Sequence, residues 1–166
     1  MPAPHEPDQI DALCRALEAP APLDARMQAV LELIVQQWGA VTGTLHSLTD
    51  DRTLALRAWY GLPESMLAIV RLIPMGKGMA GVCAQTRAPV TMCNLQSDQS
   101  GVARPGARAS GAQGAIVVPM LSAGELYGTL GIGMSGPHDF SKDDESRLLE
   151  AGRHIACALA RTRLGR

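Results

Sequence analysis

Residues 73–85 read IPMGKGMAGVCAQ. Gly76, Gly78 and Gly81 have the G-x-G-x-x-G spacing, and Asp98 follows at about the 20-residue interval at which dinucleotide folds place their ribose acid. In such a fold the glycines would bring a pyrophosphate against a helix N-terminus. The flanks oppose this chemistry. The preceding strand contains Arg71 and ends in Pro74, and the following helix has room for about two turns before Arg87–Pro89. A hairpin, not a further βαβ unit, lies downstream. A P-loop fits less well still, because Gly78, instead of Ser or Thr, follows Lys77. The other role is geometric: Gly76 and Gly78 permit a sharp turn, and Gly81 permits close packing of a short helix. The N-terminus of that helix offers free amides and a partial positive charge. It could face a small ligand or simply pack on a sheet, and both readings stay open.

The other reactive side chains are scattered. Cys14, Cys83, Cys93 and Cys157 form no C-x-x-C pair, so neither a zinc knuckle nor a dithiol motif is indicated, and buried reduced thiols are expected. His46 could serve haem as an axial ligand, although one strand histidine is more simply a packed or surface residue. Arg104 and Arg108 lie in the glycine-containing stretch from Gln96 to Gln113, a loop long enough to suggest function. Folded inward beside the helix N-terminus, they would suit a small anion such as nitrate, formate or a carboxylate. Folded outward, they would be solvated loop residues.

The elements that must position these groups follow from periodicity. The chain has 166 residues, 46% hydrophobic and 19% charged, with net charge -1. This suits one globular domain with its own core. Neither a basic excess nor an aromatic platform points to nucleic acid. No signal-peptide pattern or apolar span is present, and a cytoplasmic location is expected. Helices are expected from about Asp8 to Glu18 and from an N-cap at Asp24 to Gly39, the second with a stripe of Met27, Val30, Leu31, Ile34 and Trp38. AVTGTLHSL and TLALRAWYG then form a hairpin around residues 49–52. A short helix, a short strand to Pro74, the helix of Met79–Thr86 and the strand PVTMCNL follow. GAIVVPML and ELYGTLGIGM make a second hairpin. Ser141, with Asp144 three residues on, opens the last helix in a capping-box pattern, with a stripe of Leu148, Ala151, Gly152, Ile155 and Leu159. Tight hairpin links require antiparallel neighbours.

This order of elements, with IPMGKGMAGVCAQTRAPVTMCNL, GAIVVPML, GELYGTLGIGM and DFSKDDESRLLEAGRHIACAL, resembles a GAF domain. The likeness covers about residues 24–163, with 1–23 as an N-terminal helix and arm of a single domain 1–166. It implies an α+β fold with a mainly antiparallel six-stranded sheet, terminal helices on one face and a ligand pocket on the other. Most GAF domains are sensors joined to an output module; none is recognisable here, so a free-standing GAF protein is expected. One enzymatic branch, the free methionine-(R)-sulfoxide reductases, carries three cysteines that align with Val70, Ala80 and Arg108. Its substrate-holding acids fall near Ala109 and Ala115. Cys83 and Cys93 match none of these positions, and that chemistry needs a thiolate and a resolving thiol in contact. Cyclic-nucleotide and phytochrome signatures are also missing, although bilin attachment to Cys83 or Cys93 stays open.

The resemblance therefore implies a non-catalytic small-molecule sensor that signals to a separate partner protein. The alternatives are a reductase-like enzyme and a ligand-free adaptor or dimerisation module. No cofactor, metal, nucleic-acid or membrane partner is expected, and a homodimer through the terminal helices is. The pocket is expected to draw on Trp59, Tyr60, Met79, Ala80, Cys83, Asn94, Arg104, Arg108, Tyr127 and Thr129. Met92, Cys93 and Val117 lie close by, with core packing favoured for these three.

Overall fold

The first hairpin is the hub of the architecture. In the computed structural model, which describes residues 6–103 and 105–165, β1 (Thr42–Leu48) pairs antiparallel with β2 (Thr53–Tyr60) on one side. On its other side it pairs with β6 (Glu125–Gly133). With β3 (Leu72–Pro74), β4 (Val90–Met92) and β5 (Ala115–Ser122), the order is β3-β2-β1-β6-β5-β4, and every pairing is antiparallel. No parallel βαβ unit surrounds the glycine motif, so the dinucleotide architecture is absent from the described residues.

Three helices cover one face: α1 (Glu6–Glu18), α2 (Leu23–Trp38) and α5 (Lys142–Leu164). The α2 stripe is buried at Met27, Val30, Leu31, Ile34 and Val35, and Gly39 ends the helix in a left-handed conformation. Its start differs from expectation. Pro22 occupies the cap position with φ -54°, and Asp24 sits in the first turn. There it favours the helix dipole and lies 3.5 Å from Arg57. The α5 capping box forms as read: Ser141 Oγ accepts from Asp144 N at 3.0 Å, and Asp144 Oδ2 accepts from Ser141 N at 2.9 Å. Leu13 and Leu17 of α1 are buried in the core of the same chain.

The opposite face carries α3 (Glu64–Val70) and α4 (Gly78–Thr86). A 3-10 turn at Pro105–Ser110 completes this side. Two bulges reset the strand alternation. Leu45 pairs with Ala58 while His46 pairs with Leu56, leaving Arg57 extra. Met120 pairs with Gly128 while Leu121 pairs with Leu126, leaving Tyr127 extra. A Cβ on Gly128 would lie 1.9 Å from the His46 carbonyl oxygen, so only glycine fits this bulge. Among the described residues no helix is long and apolar enough to cross a membrane.

Candidate functional site

The turn from β3 into α4 makes one wall of a cavity. Gly76 and Gly78 have φ of +82° and +64°, which L side chains rarely adopt. Gly76 N donates to Gly81 O at 2.8 Å, and Gly81 N donates to Lys77 O at 2.9 Å. A Cβ at Gly81 would stand 2.5 Å from the Pro74 carbonyl oxygen. The three glycines therefore fold the chain back on itself and seat α4 tightly against the sheet.

Between that helix, α3 and the sheet lies a cavity of about 140 Å³. Thr44 and His46 of β1 and Val117 of β5 contribute from the sheet, Met66, Ile69 and Val70 from α3, and Met79 and Ala80 from α4. An adjoining hollow of about 110 Å³ shares Thr44, Met66, Val70 and Val117. His46 is 1% exposed, and its Nε2 lies 2.8 Å from the Val70 carbonyl oxygen. A carbonyl only accepts, so that nitrogen carries the hydrogen. Burial pushes the ring pKa below its ordinary 6.5 against the opposing effect of this bond.

Of the residues expected at the pocket, Met79 and Ala80 line the cavity, and so does Val117. Thr129 lies on the same face, opposite His46 in the β1–β6 register, but is buried behind the cavity lining and is not part of it. Cys83 packs behind the wall, fully buried among Met79, Met92, Leu95 and Val117. Burial pushes its thiol up to about 12. Asn94 sits instead on a broad groove of about 570 Å³ lined by residues 90–94, 97–100 and 102. Its Oδ1 accepts from Gln96 N, closing a local turn. Cys93 shares that groove and is exposed; Asp139 raises its pKa, chiefly through a hydrogen bond.

Four further expectations are corrected. Tyr127 faces the helix side, with the Arg163 guanidinium 4.9 Å above its ring, because the bulge at Tyr127–Gly128 breaks the alternation that would have paired it with Thr129. Trp59 and Tyr60 are 43% and 41% exposed and do not line the cavity. Gln28 of α2 clamps the end of β2 toward the helix layer, accepting from Trp59 N and donating to Trp59 O. Arg108 is exposed, and its Nη2 donates to the Asp98 carbonyl oxygen at 2.7 Å, so it does not close on an anion at the cavity. Arg104 lies outside the described residues. The sequence reading missed Thr44, His46 as a cavity residue, and the α3 wall of Met66, Ile69 and Val70. The readable signal for the strand residues was Gly128, a glycine inside a strand that marks a bulge. Among the described residues no group of three or more His, Cys, Asp or Glu side chains is placed to hold a metal ion.

A six-stranded antiparallel sheet with helices on one face and a roofed cavity on the other defines the class. Residues 20–160 match the family model of the GAF domain, and the chain belongs to that family. The fold is similar to the GAF domain of a phosphoenolpyruvate-protein phosphotransferase from Coxiella burnetii, with TM-score 0.79 and 20% identity over 98% of each chain. The corresponding domain from Acinetobacter gives 0.76 and 17%, covering 95% of this chain and 96% of that one. Free methionine-R-sulfoxide reductase from Neisseria meningitidis, solved in complex with its substrate, gives 0.77 and 18%, covering 97% and 92%. At such identities the likeness is one of fold. No curated protein sequence matches the chain.

Proposed function

We propose that this GAF domain is a non-catalytic regulatory module that binds a small molecule in the cavity between the sheet, α3 and α4 and signals to a separate protein. The observation that carries this reading is the cavity itself, a mostly apolar chamber with a few polar atoms at its floor, the usual make-up of a small-molecule site. Val70 and Ala80, two of the positions aligned with reductase cysteines, line that cavity and carry no sulfur. Cys83 is buried behind it with a raised pKa, the opposite of an activated thiolate. The reductase alternative draws on fold likeness alone.

Signalling would use the roof. A ligand that prefers one arrangement of α3 and the loop above it shifts the population toward that arrangement. A homodimer remains part of the proposal, but Leu13 and Leu17 are already covered by their own chain. The dimer surface would therefore lie elsewhere than that stripe. Native mass spectrometry of freshly purified protein, with a thermal-shift screen of metabolites, tests the binding claim. A ligand should raise Tm with concentration, by about 2.7 kcal/mol of added stability at 100 times its Kd. Ala80→Phe, which fills the cavity, should abolish that rise. Protein that carries nothing and a flat screen would favour the ligand-free adaptor.

A further inference from the structure

Two polar atoms on the cavity face have no partner: His46 Nδ1 and Thr129 Oγ1. Both side chains are 1% exposed. The two residues are directly opposed across β1 and β6, so their side chains stand next to each other on one face. His46 lines the cavity. With its hydrogen on Nε2, committed to Val70 O, the neutral ring presents a bare lone pair at Nδ1. An unpartnered buried acceptor carries the full cost of its lost hydration. The Thr129 hydroxyl beside it can donate one hydrogen and accept another.

From this pair we infer that the cavity takes a small neutral alcohol or phenol. Its hydroxyl hydrogen meets His46 Nδ1, and its apolar body lies against Met66, Ile69, Ile73 and Val117. Thr129 Oγ1, beside His46 but not itself on the cavity lining, donates to the ligand's oxygen after a small shift of the wall. The inference rests on the cavity being a ligand site, as proposed above. A hydroxyl group matches both orphaned atoms at once. A carboxylate has no hydrogen for Nδ1 and would set its own lone pairs against that of the ring. Among the described lining residues the one cation is Lys77, which is solvent-exposed. Size agrees: an apolar protein cavity of about 150 Å³ holds benzene, and this one measures about 140 Å³.

The test uses the full chain with three probes, phenol, toluene and formate, measured by titration calorimetry and thermal shift. Phenol and toluene share a ring body and differ in the hydroxyl. Phenol is expected to bind about tenfold more tightly than toluene, the scale of one net hydrogen bond. Thr129→Val removes the hydroxyl at nearly constant shape; it should weaken phenol several-fold and leave toluene unchanged. In ¹⁵N spectra the His46 ring should show the Nε2–H tautomer, with the Nδ1 resonance moving on phenol addition. Toluene binding as well as phenol, or formate binding in its place, would overturn the inference and leave the cavity a ligand site. If no probe binds, and a crystal grown with phenol shows only a water between His46 Nδ1 and Thr129 Oγ1, the inference fails. An empty metabolite screen beside that result would sink the ligand reading too.

Discussion

Gly81→Ala separates a glycine motif that shapes the fold from one that grips a cofactor. The added methyl would start 2.5 Å from the Pro74 carbonyl oxygen and 3.1 Å from Gly76 N, both backbone atoms. Neither can rotate away, so α4 must withdraw by about 1 Å to reach ordinary contact. Overpacking of this kind costs about 1–3 kcal/mol. Withdrawal also strains the bond from Gly76 N to Gly81 O, worth about 1 kcal/mol. Against these, alanine inside a helix gains about 1 kcal/mol over glycine. The net expectation is a loss of about 2 kcal/mol. For a chain of this size that is a Tm decrease of about 4–8 °C. Gly136→Ala is the control, since a Cβ there meets nothing within 4 Å and its φ is not positive. It should change stability by less than about 0.5 kcal/mol. Urea and thermal unfolding followed by circular dichroism read both variants. Gly81→Ala as stable as Gly136→Ala would refute the packing argument. A Tm rise of the parent protein with NADH, lost in Gly81→Ala, would restore the dinucleotide reading.

Other expectations follow from titration, thiol burial and capping. His46 and His154 both have folded-state pKa values held below 6.5, chiefly by burial, so the unfolded chain binds protons first. Their contribution to stability should be complete above pH 6.5 and decline as pH falls from there toward the folded-state values. His154→Gln should leave the part of the decline due to His46, and urea midpoints across that window that show no decline in this variant would contradict the account. Iodoacetamide with peptide mapping should label exposed Cys93 in the native protein and Cys83 only after unfolding. Native labelling of Cys83 would mean that α4 opens readily. Ser141→Ala removes the capping box of α5 and should cost about 1 kcal/mol, read as a lower urea midpoint with unchanged slope; an unchanged midpoint would show the cap to be dispensable.

Most of the architecture was legible because its signals are local. The turn at residues 49–52, the Ser141–Asp144 box and the period-3.6 stripe of α2 each announce an element without help from the rest of the chain. The cavity was less legible because its faces depend on two bulges. Strict alternation puts Tyr127 with Thr129, whereas the extra residue at the bulge sends Tyr127 to the helices and leaves Thr129 beside His46. Nothing at Arg57 announces the other bulge. The side chains of α3 reach the cavity through tertiary packing, which a seven-residue helix does not encode in its own pattern. Arg108 fell on the outside because its guanidinium bonds its own loop at Asp98.

The most direct test of binding without turnover is a thioredoxin assay coupled to NADPH, supplied with free methionine-(R)-sulfoxide. The cavity wall carries valine at 70 and alanine at 80, and Cys83 is buried with its thiol pushed up to about 12. The account predicts NADPH consumption no faster than in the absence of the protein. Robust consumption that disappears in Cys83→Ser or Cys93→Ser would contradict it and make the chain a reductase.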